Sequence, residues 1–518
     1  MSIRVRFAPS PTGALHIGGI RTALFNYLLA KKHGGTFILR IEDTDQTRYV
    51  EGAEQYIIDA LKWCSIAPTE GVGFGEGPYA PYRQSDRFKQ GVYQKYANEL
   101  IDKGLAYFAF DTPQQLEAMR NTLQAEGAKN QSYSHATRMR EDLGLQNSMC
   151  LSADEVQTRI AAGESYVVRL KITGNQLVTL TDIIRGEVTF NTNELYDKVL
   201  LKADGMPTYH LANIVDDYEM KISHVIRGEE WLASAGHHVL IYRAFGWESV
   251  MPQFAHLPLI LKPDGKGKLS KRDGAKFGFP VFPLEWNDAD PTKSFEGFRS
   301  IGFDPRAVVN FLVMLGWNPG TEQEIFSLDE LAALFSLEKI HKAGARFDYD
   351  KAKWFNQQYL HATSNEDLAA QLHPLSIERG YAVSEEKLAQ FARLMKERVL
   401  FFNEFLEKGY YFFEDVKEYD AANVTKRWKP ENREKFNDML NMMQTLDYTD
   451  PLSMEHATKE WINANGLKMG EILPILRIGL AGTMQGPAIF DMAAYFGKDE
   501  TLRRLKRAFA EFDKWQSL

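Results

Sequence analysis

Residues 3–41 place the strongest constraint on the fold. Ile3, Val5 and Phe7 alternate with Arg4 and Arg6, the period of a strand in a sheet. Ala8-Pro9-Ser10-Pro11-Thr12-Gly13 breaks that strand with turn-forming residues. Over residues 15–32, Ile20, Leu24, Tyr27 and Leu28 recur at helical spacing, and Gly34-Gly35 ends the helix. Residues 36–41 read as a second strand. A strand–helix–strand unit must lay its helix across a sheet, so a layered α/β architecture is expected.

Residues 51–103 read as mostly helical. Residues 104–195 mix short strands and helices without simple alternation, and are expected to be an insertion between two halves of the sheet. Strand-like runs return at 198–202, 208–215, 224–227 and 254–261, with a helix at 232–245. After residue 280 the strand signal fades, and 308–315 reads as a helix. Residues 330–518 are nearly all helical in pattern: Leu331, Leu334 and Phe335; Leu388, Phe391, Leu394 and Met395; Leu476 and Leu480. No internal repeat or low-complexity tract interrupts the chain.

At 518 residues the chain is too long for one hydrophobic core and is expected to form roughly two to four domains. A net charge of −8 does not exclude a polyanionic partner, because affinity for nucleic acid follows local Lys/Arg patches. Cys64 and Cys150, the only cysteines, are too few for a disulfide framework or a thiolate zinc cage. Residues 1–11 carry no signal-like apolar run, and no stretch approaches the ~18–20 apolar residues of a membrane span. A cytoplasmic location with no membrane partner is expected.

Two short motifs carry chemistry. His16-Ile17-Gly18-Gly19 opens the first helix. A helix N-terminus is expected to offer unpaired N–H groups and a partial positive charge, and Gly18 and Gly19 would let a phosphate or ribose approach the backbone. His16 could donate to a phosphate oxygen without carrying a permanent charge. Taken alone, the tetrapeptide also describes a tight turn with a satisfied histidine. Lys268-Leu269-Ser270-Lys271-Arg272 follows a buried-looking strand and the stretch Lys262-Pro263-Asp264-Gly265-Lys266-Gly267. Such a charge run is often a solvated face. Mobile cations at the C-terminal end of a strand would also close over a triphosphate and stabilise a departing pyrophosphate.

With both motifs in this order, the chain resembles a class I aminoacyl-tRNA synthetase, matching the HIGH and KMSKS signatures of that class. Arg6-Phe7-Ala8-Pro9-Ser10-Pro11-Thr12-Gly13, Arg40-Ile41-Glu42-Asp43-Thr44-Asp45, Asp204-Gly205-Met206-Pro207-Thr208-Tyr209-His210-Leu211-Ala212 and His224-Val225-Ile226-Arg227-Gly228-Glu229-Glu230-Trp231 narrow the resemblance to bacterial-type glutamyl-tRNA synthetases. Lys468-Met469-Gly470-Glu471 and Gly486-Pro487 extend it more weakly. The resemblance implies a Rossmann-type parallel-sheet catalytic domain in two halves, 1–103 and 196–275, with an inserted α+β acceptor-end-binding domain at 104–195. It further implies a stem-contact connector at 276–335 and an all-α anticodon-binding half at 336–518. The implied activity is ATP-dependent attachment of L-glutamate to tRNA(Glu) through a glutamyl-adenylate, by a monomer that binds tRNA before activation. His16, Lys268 and Lys271 would be catalytic. His16, Gly18, Gly19, Glu230, Leu259, Lys268, Ser270, Lys271 and Arg272 would contact ATP. Mg2+ is expected on the phosphates, held mostly by substrate oxygens and water.

Glutamate brings an ammonium, an α-carboxylate and a side-chain carboxylate. An acid must face the ammonium, and Glu42 matches the family residue for that task. Arg6 and Arg227 match the cations for the side-chain carboxylate, which a guanidinium binds bidentately and an amide cannot reciprocate. Ser10, Tyr209 and Asn213 match the remaining polar contacts. Each of these alone also fits a buried ion pair or core hydrogen bond.

The resemblance places the insertion at the acceptor end, with Arg138, Arg140 and Arg185 among its cations. The helical half would read the anticodon, Arg398 matching the family's arginine for the third base. Lys426-Arg427-Trp428-Lys429 and Arg503-Arg504-Leu505-Lys506-Arg507 are further candidates, or exposed helix faces. Where some relatives carry a zinc-binding Cys-x-Cys, this chain reads Ala106-Tyr107-Phe108-Ala109-Phe110. With Tyr133 and His135 alone nearby no zinc is expected, and Phe108 and Phe110 would pack in its place. Residues 277–299 are longer and more aromatic than the family pattern, either a surface excursion or a contact to the tRNA elbow. Among other readings, glutaminyl-tRNA synthetases usually add β-barrels where 330–518 looks helical. A truncated relative that glutamylates a tRNA base lacks the anticodon half. A non-catalytic RNA scaffold would have no need of His16, Glu42, Arg227, Lys268 and Lys271.

Overall fold

The computed structural model describes residues 2–429 and 433–515, so residues 1, 430–432 and 516–518 of the expected domain spans lie outside the described residues. The chain divides into two compact units, Met1–Ser300 with Val308–Tyr349, and Ile301–Ala307 with Asp350–Leu518. Among the described residues, no helix is long and apolar enough to cross a membrane.

In the first unit, the N-terminal alternation folds as the strand Arg4–Phe7 and the following apolar pattern as the helix Ile17–Lys32. Ile20, Ala23, Leu24, Phe25 and Leu28 of that helix are fully buried. The helix returns the chain to the strand Thr36–Leu39, parallel to the first from Arg4↔Thr36 to Phe7↔Leu39. Gly35 permits this return, since a Cβ there would lie 2.3 Å from the Ile3 carbonyl oxygen. Glu70–Gly71, a strand absent from the sequence reading, pairs in parallel on the far side of Thr36–Leu39.

A second sheet runs in the order Gly186–Asn191, Leu177–Asp182, Gln253–Leu257, His224–Gly228. The last three are parallel, and Gly186–Asn191 closes the outer edge antiparallel. Ser223 N–H donates to the Arg4 carbonyl at 2.8 Å, and Arg4 N–H to Ser223 Oγ at 2.9 Å. His224–Gly228 therefore lies alongside Arg4–Phe7, and the two sheets meet edge to edge. Their parallel strands end at Phe7, Gly228 and Leu257 on one side, the side where open α/β sheets bind ligands.

Residues 208–215, expected as a strand, form part of the helix Tyr209–Glu219. Ile214 and Val215 favour a strand locally, but Leu211, Ile214 and Val215 are all fully buried at helical spacing. Packing against the sheet overrides β-propensity here. The strand Val199–Leu201 joins Ala106–Ala109 and Val167–Leu170 in a separate antiparallel sheet, while the 177–191 hairpin belongs to the central one. Alternation marks a strand without naming its neighbour. Phe108 and Phe110 pack edge-on against Tyr166 at 5.1 and 5.9 Å. The 277–299 excursion folds back on itself: Trp286 and Phe295 exchange backbone hydrogen bonds at 3.0 Å, and Phe282 stacks on Phe295 at 3.9 Å.

The second unit is helical, and its core takes in Leu388, Phe391, Leu394, Met395, Leu476 and Leu480. Two basic runs considered for RNA contact contribute to this core. Trp428 is buried and stacks on Phe436 at 4.5 Å, leaving Lys426 and Lys429 exposed beside it. Arg504 is buried and donates to the Tyr411 carbonyl at 2.6 Å, while Arg503 and Arg507 pair with Asp415.

A charged network lies within the first unit below the ends of its parallel strands. Arg40 is fully buried and donates to Asp217 Oδ1 at 2.7 Å and Glu42 Oε1 at 3.2 Å, with Asp216 Oδ2 3.7 Å from its Nε. Arg6 Nε reaches Asp217 Oδ1 at 3.0 Å, and Arg87 Nε reaches Asp216 Oδ1 at 2.7 Å. Burial opposes the charge on Arg40, and the carboxylates of Asp217, Asp216 and Glu42 overcome it and raise its pKa. Asp216 and Asp217 sit on the helix Tyr209–Glu219, so the network ties that helix to the strands bearing Arg6 and Arg40. Arg40→Met is expected to lower stability in urea unfolding by about 3–5 kcal/mol, the cost of leaving buried carboxylates unpaired. An unchanged midpoint would mean that Arg6 and Arg87 alone neutralise them.

Candidate active site

A cavity of about 1000 Å³ opens at the strand ends. Every residue expected to contact ATP or glutamate lines it except Arg272, which is exposed outside it. Arg398 lies in the other unit. The cavity brings the His16 turn and the 268–271 segment together. Lys271 Nζ is 3.6 Å from where a Gly13 Cβ would stand, and Gly13 has φ +122°, a conformation side chains disfavour.

The His16 turn differs from the expected open helix end. Ile17 N–H donates to the Val281 carbonyl at 3.0 Å, Gly18 N–H to His16 Nδ1 at 3.0 Å, and Gly19 N–H to the His16 carbonyl at 2.8 Å. The N-cap side chain and the excursion thus consume the first-turn donors. A Cβ on Gly19 would lie 2.5 Å from Leu15 Cδ1 and displace that side chain. What remains is the histidine itself. Nδ1 accepts from Gly18, so the proton resides on Nε2, which is buried and has no partner among the described residues. Burial, together with Lys271 and Lys268, lowers the His16 pKa to about 4, and the ring is a neutral donor at physiological pH. Phe282 meets it edge-on at 6.2 Å.

The basic segment is part loop and part helix. Lys271–Phe277 is helical, and the Asp273 carboxylate accepts from Ser270 N–H at 2.7 Å and from its hydroxyl at 2.6 Å. Burial lowers the Lys271 pKa. Lys268 Nζ lies 2.6 Å from Glu230 Oε1, and Leu259 N–H donates to Glu229 Oε1 at 2.9 Å. A nucleotide contacting Lys268 or the Leu259 amide would displace these glutamates.

At the other end, Glu42 Oε1 accepts from Asn213 Nδ2 at 3.0 Å and from Arg40. Burial raises its pKa against the pull of Arg40 and Arg6. Ser10 stands exposed at the cavity lining. Arg227 Nη1 donates to the Tyr209 hydroxyl at 2.8 Å, while Arg227 Nη2 is buried with no hydrogen-bond partner among the described residues. Arg6 is committed to Asp217 through Nε and Nη2. Each guanidinium thus has one nitrogen outside these bonds, Nη1 on Arg6 and Nη2 on Arg227.

Two groups escaped the sequence reading. The Trp231 ring lies tilted against Tyr209 at 4.4 Å and lines the cavity. His238 and His256 both touch Arg227, through contacts set by strand register and helix packing that spacing does not encode. Arg138 turns inward, buried and donating to Asp197 Oδ2 at 2.9 Å, and Arg185 pairs with Glu229 at 2.6 Å. Arg140 is held by Glu126 and Asp142. In this geometry all three are paired within the chain, Arg138 buried and Arg140 and Arg185 half-buried. In the second unit Arg398 is exposed, its Nη1 donating to the Leu394 carbonyl at 2.9 Å.

Comparison with known proteins agrees with this geometry. The family described as tRNA synthetases class I (E and Q), catalytic domain, matches residues 2–354, and an anticodon binding domain matches residues 367–509. A glutamate–tRNA ligase of Flavobacterium johnsoniae is 52% identical over 508 residues, covering 98% of this chain and 99% of its own length. One from Amoebophilus asiaticus is 51% identical over 506 residues, covering 98% of each. The crystal structure of a glutamate tRNA ligase from Elizabethkingia meningosepticum in complex with its amino acid superposes with a TM-score of 0.93 at 47% identity, covering 99% of this chain and 100% of that one. The chain belongs to the class I tRNA synthetases and, within them, to the glutamate–tRNA ligases.

Proposed function

We propose that this chain attaches L-glutamate to tRNA(Glu) at the expense of ATP, through a glutamyl-adenylate. An α-carboxylate oxygen of glutamate attacks the α-phosphorus of ATP, and the bond to pyrophosphate breaks. A ribose hydroxyl of the terminal tRNA nucleotide then attacks the acyl carbon, and AMP departs. The observation that carries this reading is one cavity holding two buried, unmatched donors, His16 Nε2 and Arg227 Nη2, with Lys271 beside the His16 turn.

His16 Nε2–H donates to the phosphates as a neutral group, and Lys271 supplies positive charge where the pentacoordinate phosphorus and leaving pyrophosphate develop negative charge. Neither forms a covalent bond, and the protein's work is positioning and electrostatics. Glu42, oriented by Asn213 and Arg40, takes the ammonium, and Arg227 takes the side-chain carboxylate. Glutamine would bring amide N–H groups against guanidinium donors, which supports glutamate over the glutaminyl reading. The carboxylates lining the cavity are already engaged: Glu42 by Arg40, Asp45 by Arg48, and Glu230 by Lys268. Magnesium would arrive on the ATP phosphates, held mostly by substrate oxygens and water. The segment 104–195 serves the acceptor end and the helical half the anticodon, with Arg398 at the third base. The chain acts as a cytoplasmic monomer.

ATP–pyrophosphate exchange with glutamate, with and without tRNA, tests the reading. Exchange that appears with cognate tRNA supports it, and silence in its presence favours an RNA-binding scaffold. Lys271→Ala is expected to slow activation by about 10²–10³-fold while tRNA affinity stays nearly intact. Equal loss of both would make this segment an RNA contact. Arg227→Gln is expected to narrow the preference for glutamate over glutamine by on the order of 10²-fold, measured as a ratio of kcat/KM values. An unchanged ratio would remove Arg227 from the side-chain end of the pocket.

A further inference from the structure

Arg227 is held from behind by a chain of two buried residues that no contact with ligand explains. Its Nε–H donates to His256 Nε2 at 3.0 Å, across the register pair His256↔Arg227 of adjacent parallel strands. His256 Nδ1 lies 2.6 Å from Asp182 Oδ2. Both side chains are fully buried, and neither residue lines the cavity. Asp182 ends the next strand, and its carboxylate also accepts from the backbone N–H of Ile184 at 3.0 Å, Arg185 at 2.9 Å and His256 at 3.1 Å.

The hydrogen-bond inventory fixes the proton on this chain. The Arg227 Nε–H can only donate, so His256 Nε2 must accept. The ring proton then sits on Nδ1, where it meets Asp182. Burial works against the Asp182 carboxylate, yet the bonds from His256 and the Arg185 amide keep its pKa below the usual range. Burial, with Arg227 nearby, keeps the pKa of His256 low in spite of that carboxylate. An anionic Asp182 and a neutral, Nδ1-protonated His256 are thus mutually consistent. A second support lies on the other side, where Arg227 Nη1 reaches the Tyr209 hydroxyl at 2.8 Å and His238 Nδ1 at 3.3 Å. With Nε and Nη1 both committed, the guanidinium plane cannot turn, and Nη2 is left as the unmatched donor.

We propose that Asp182 and His256 are positioning residues for glutamate selection: Asp182 sets the tautomer of His256, and His256 fixes the Arg227 guanidinium so that Nη2 meets the side-chain carboxylate of the substrate. The proposal rests on the reading that Arg227 faces that carboxylate. The pair's contact with Arg227 acts at the amino-acid end of the cavity, away from the phosphates at His16 and Lys271.

The test is steady-state charging by the full chain with tRNA, comparing Asp182→Asn, His256→Gln, His256→Leu and Arg227→Gln, each checked for wild-type tRNA affinity. Asp182→Asn turns an acceptor into an amide that donates toward Nδ1, which drives the ring proton to Nε2 and against the Arg227 Nε–H. His256→Leu removes the acceptor, whereas His256→Gln retains a side-chain oxygen within reach of Arg227. Asp182→Asn and His256→Leu are expected to raise KM for glutamate by on the order of 10- to 100-fold and to narrow glutamate-over-glutamine selectivity, with KM for ATP unchanged. His256→Gln is expected to recover most of both. Where His256→Leu fails to fold, Asp182→Asn carries the comparison. If Arg227→Gln is impaired but Asp182→Asn is not, the positioning role is overturned while the Arg227 assignment stands. Equal damage in His256→Gln and His256→Leu, or loss shared between glutamate and ATP, marks ordinary packing and also overturns it. An unimpaired Arg227→Gln overturns the carboxylate reading itself, and the pair's role with it.

Discussion

Arg40 holds together the parts of the first unit that make a site. It leaves the end of one parallel strand fully buried, and it meets carboxylates just past that strand and on the helix Tyr209–Glu219. Three cations, Arg6, Arg40 and Arg87, face Glu42, Asp216 and Asp217, so the buried charges balance. Such a network is an uncertain source of stability, because desolvation offsets much of the attraction. Its value here is geometric. Glu42 and Arg6, which face the cavity, belong to the same network as Asp217, so their positions are fixed before any ligand enters.

The cavity built on this base is cationic at one end, yet few of its cations are free. Arg6 is spent on Asp217 and Lys268 on Glu230, while Lys271 is partly desolvated. The histidines near Arg227 are neutral: burial, aided by neighbouring cations, lowers His210 to about 3 and His238 well below its ordinary value. Charge is thereby concentrated in a few positions that have an unmatched donor or a displaceable partner. A substrate carrying carboxylates and phosphates gains most at those positions, because burial makes an unpaired donor costly until an anion satisfies it.

The aromatic excursion after the basic segment has a structural part in this arrangement. Val281 accepts from Ile17, Phe282 meets the His16 ring, and a Cβ on Gly274 would lie 2.9 Å from the Phe279 carbonyl oxygen. One short stretch thus touches both the helix that starts at Lys271 and the turn that carries His16. The Tyr56 hydroxyl, bonded to the Leu284 backbone, anchors the stretch to the helix Ala53–Trp63. The aromatic residues that looked anomalous beside the family pattern are the packing of this brace.

Much of the site could be read from the sequence, because its motifs are local. Strand alternation at Ile3–Phe7, the turn before His16, and the Lys268–Arg272 run each declare their type within a few residues. The reading failed where partners are distant. Residues 208–215 carry β-branched side chains but obey a helical burial period, and the strand at 199–201 pairs outside the central sheet. Arg138, Arg504 and Trp428 looked like RNA-facing groups by composition and proved to be buried. The open helix end inferred at His16 is closed by a carbonyl more than 260 positions downstream. Residue types, local periodicity and the order of the motifs were determined by the sequence alone, since they depend on neighbours a few bonds away. Which donors remain unmatched, which cations are already paired, and which histidine steadies Arg227 were decided only by the tertiary structure, because burial and strand register assign partners that no local pattern records.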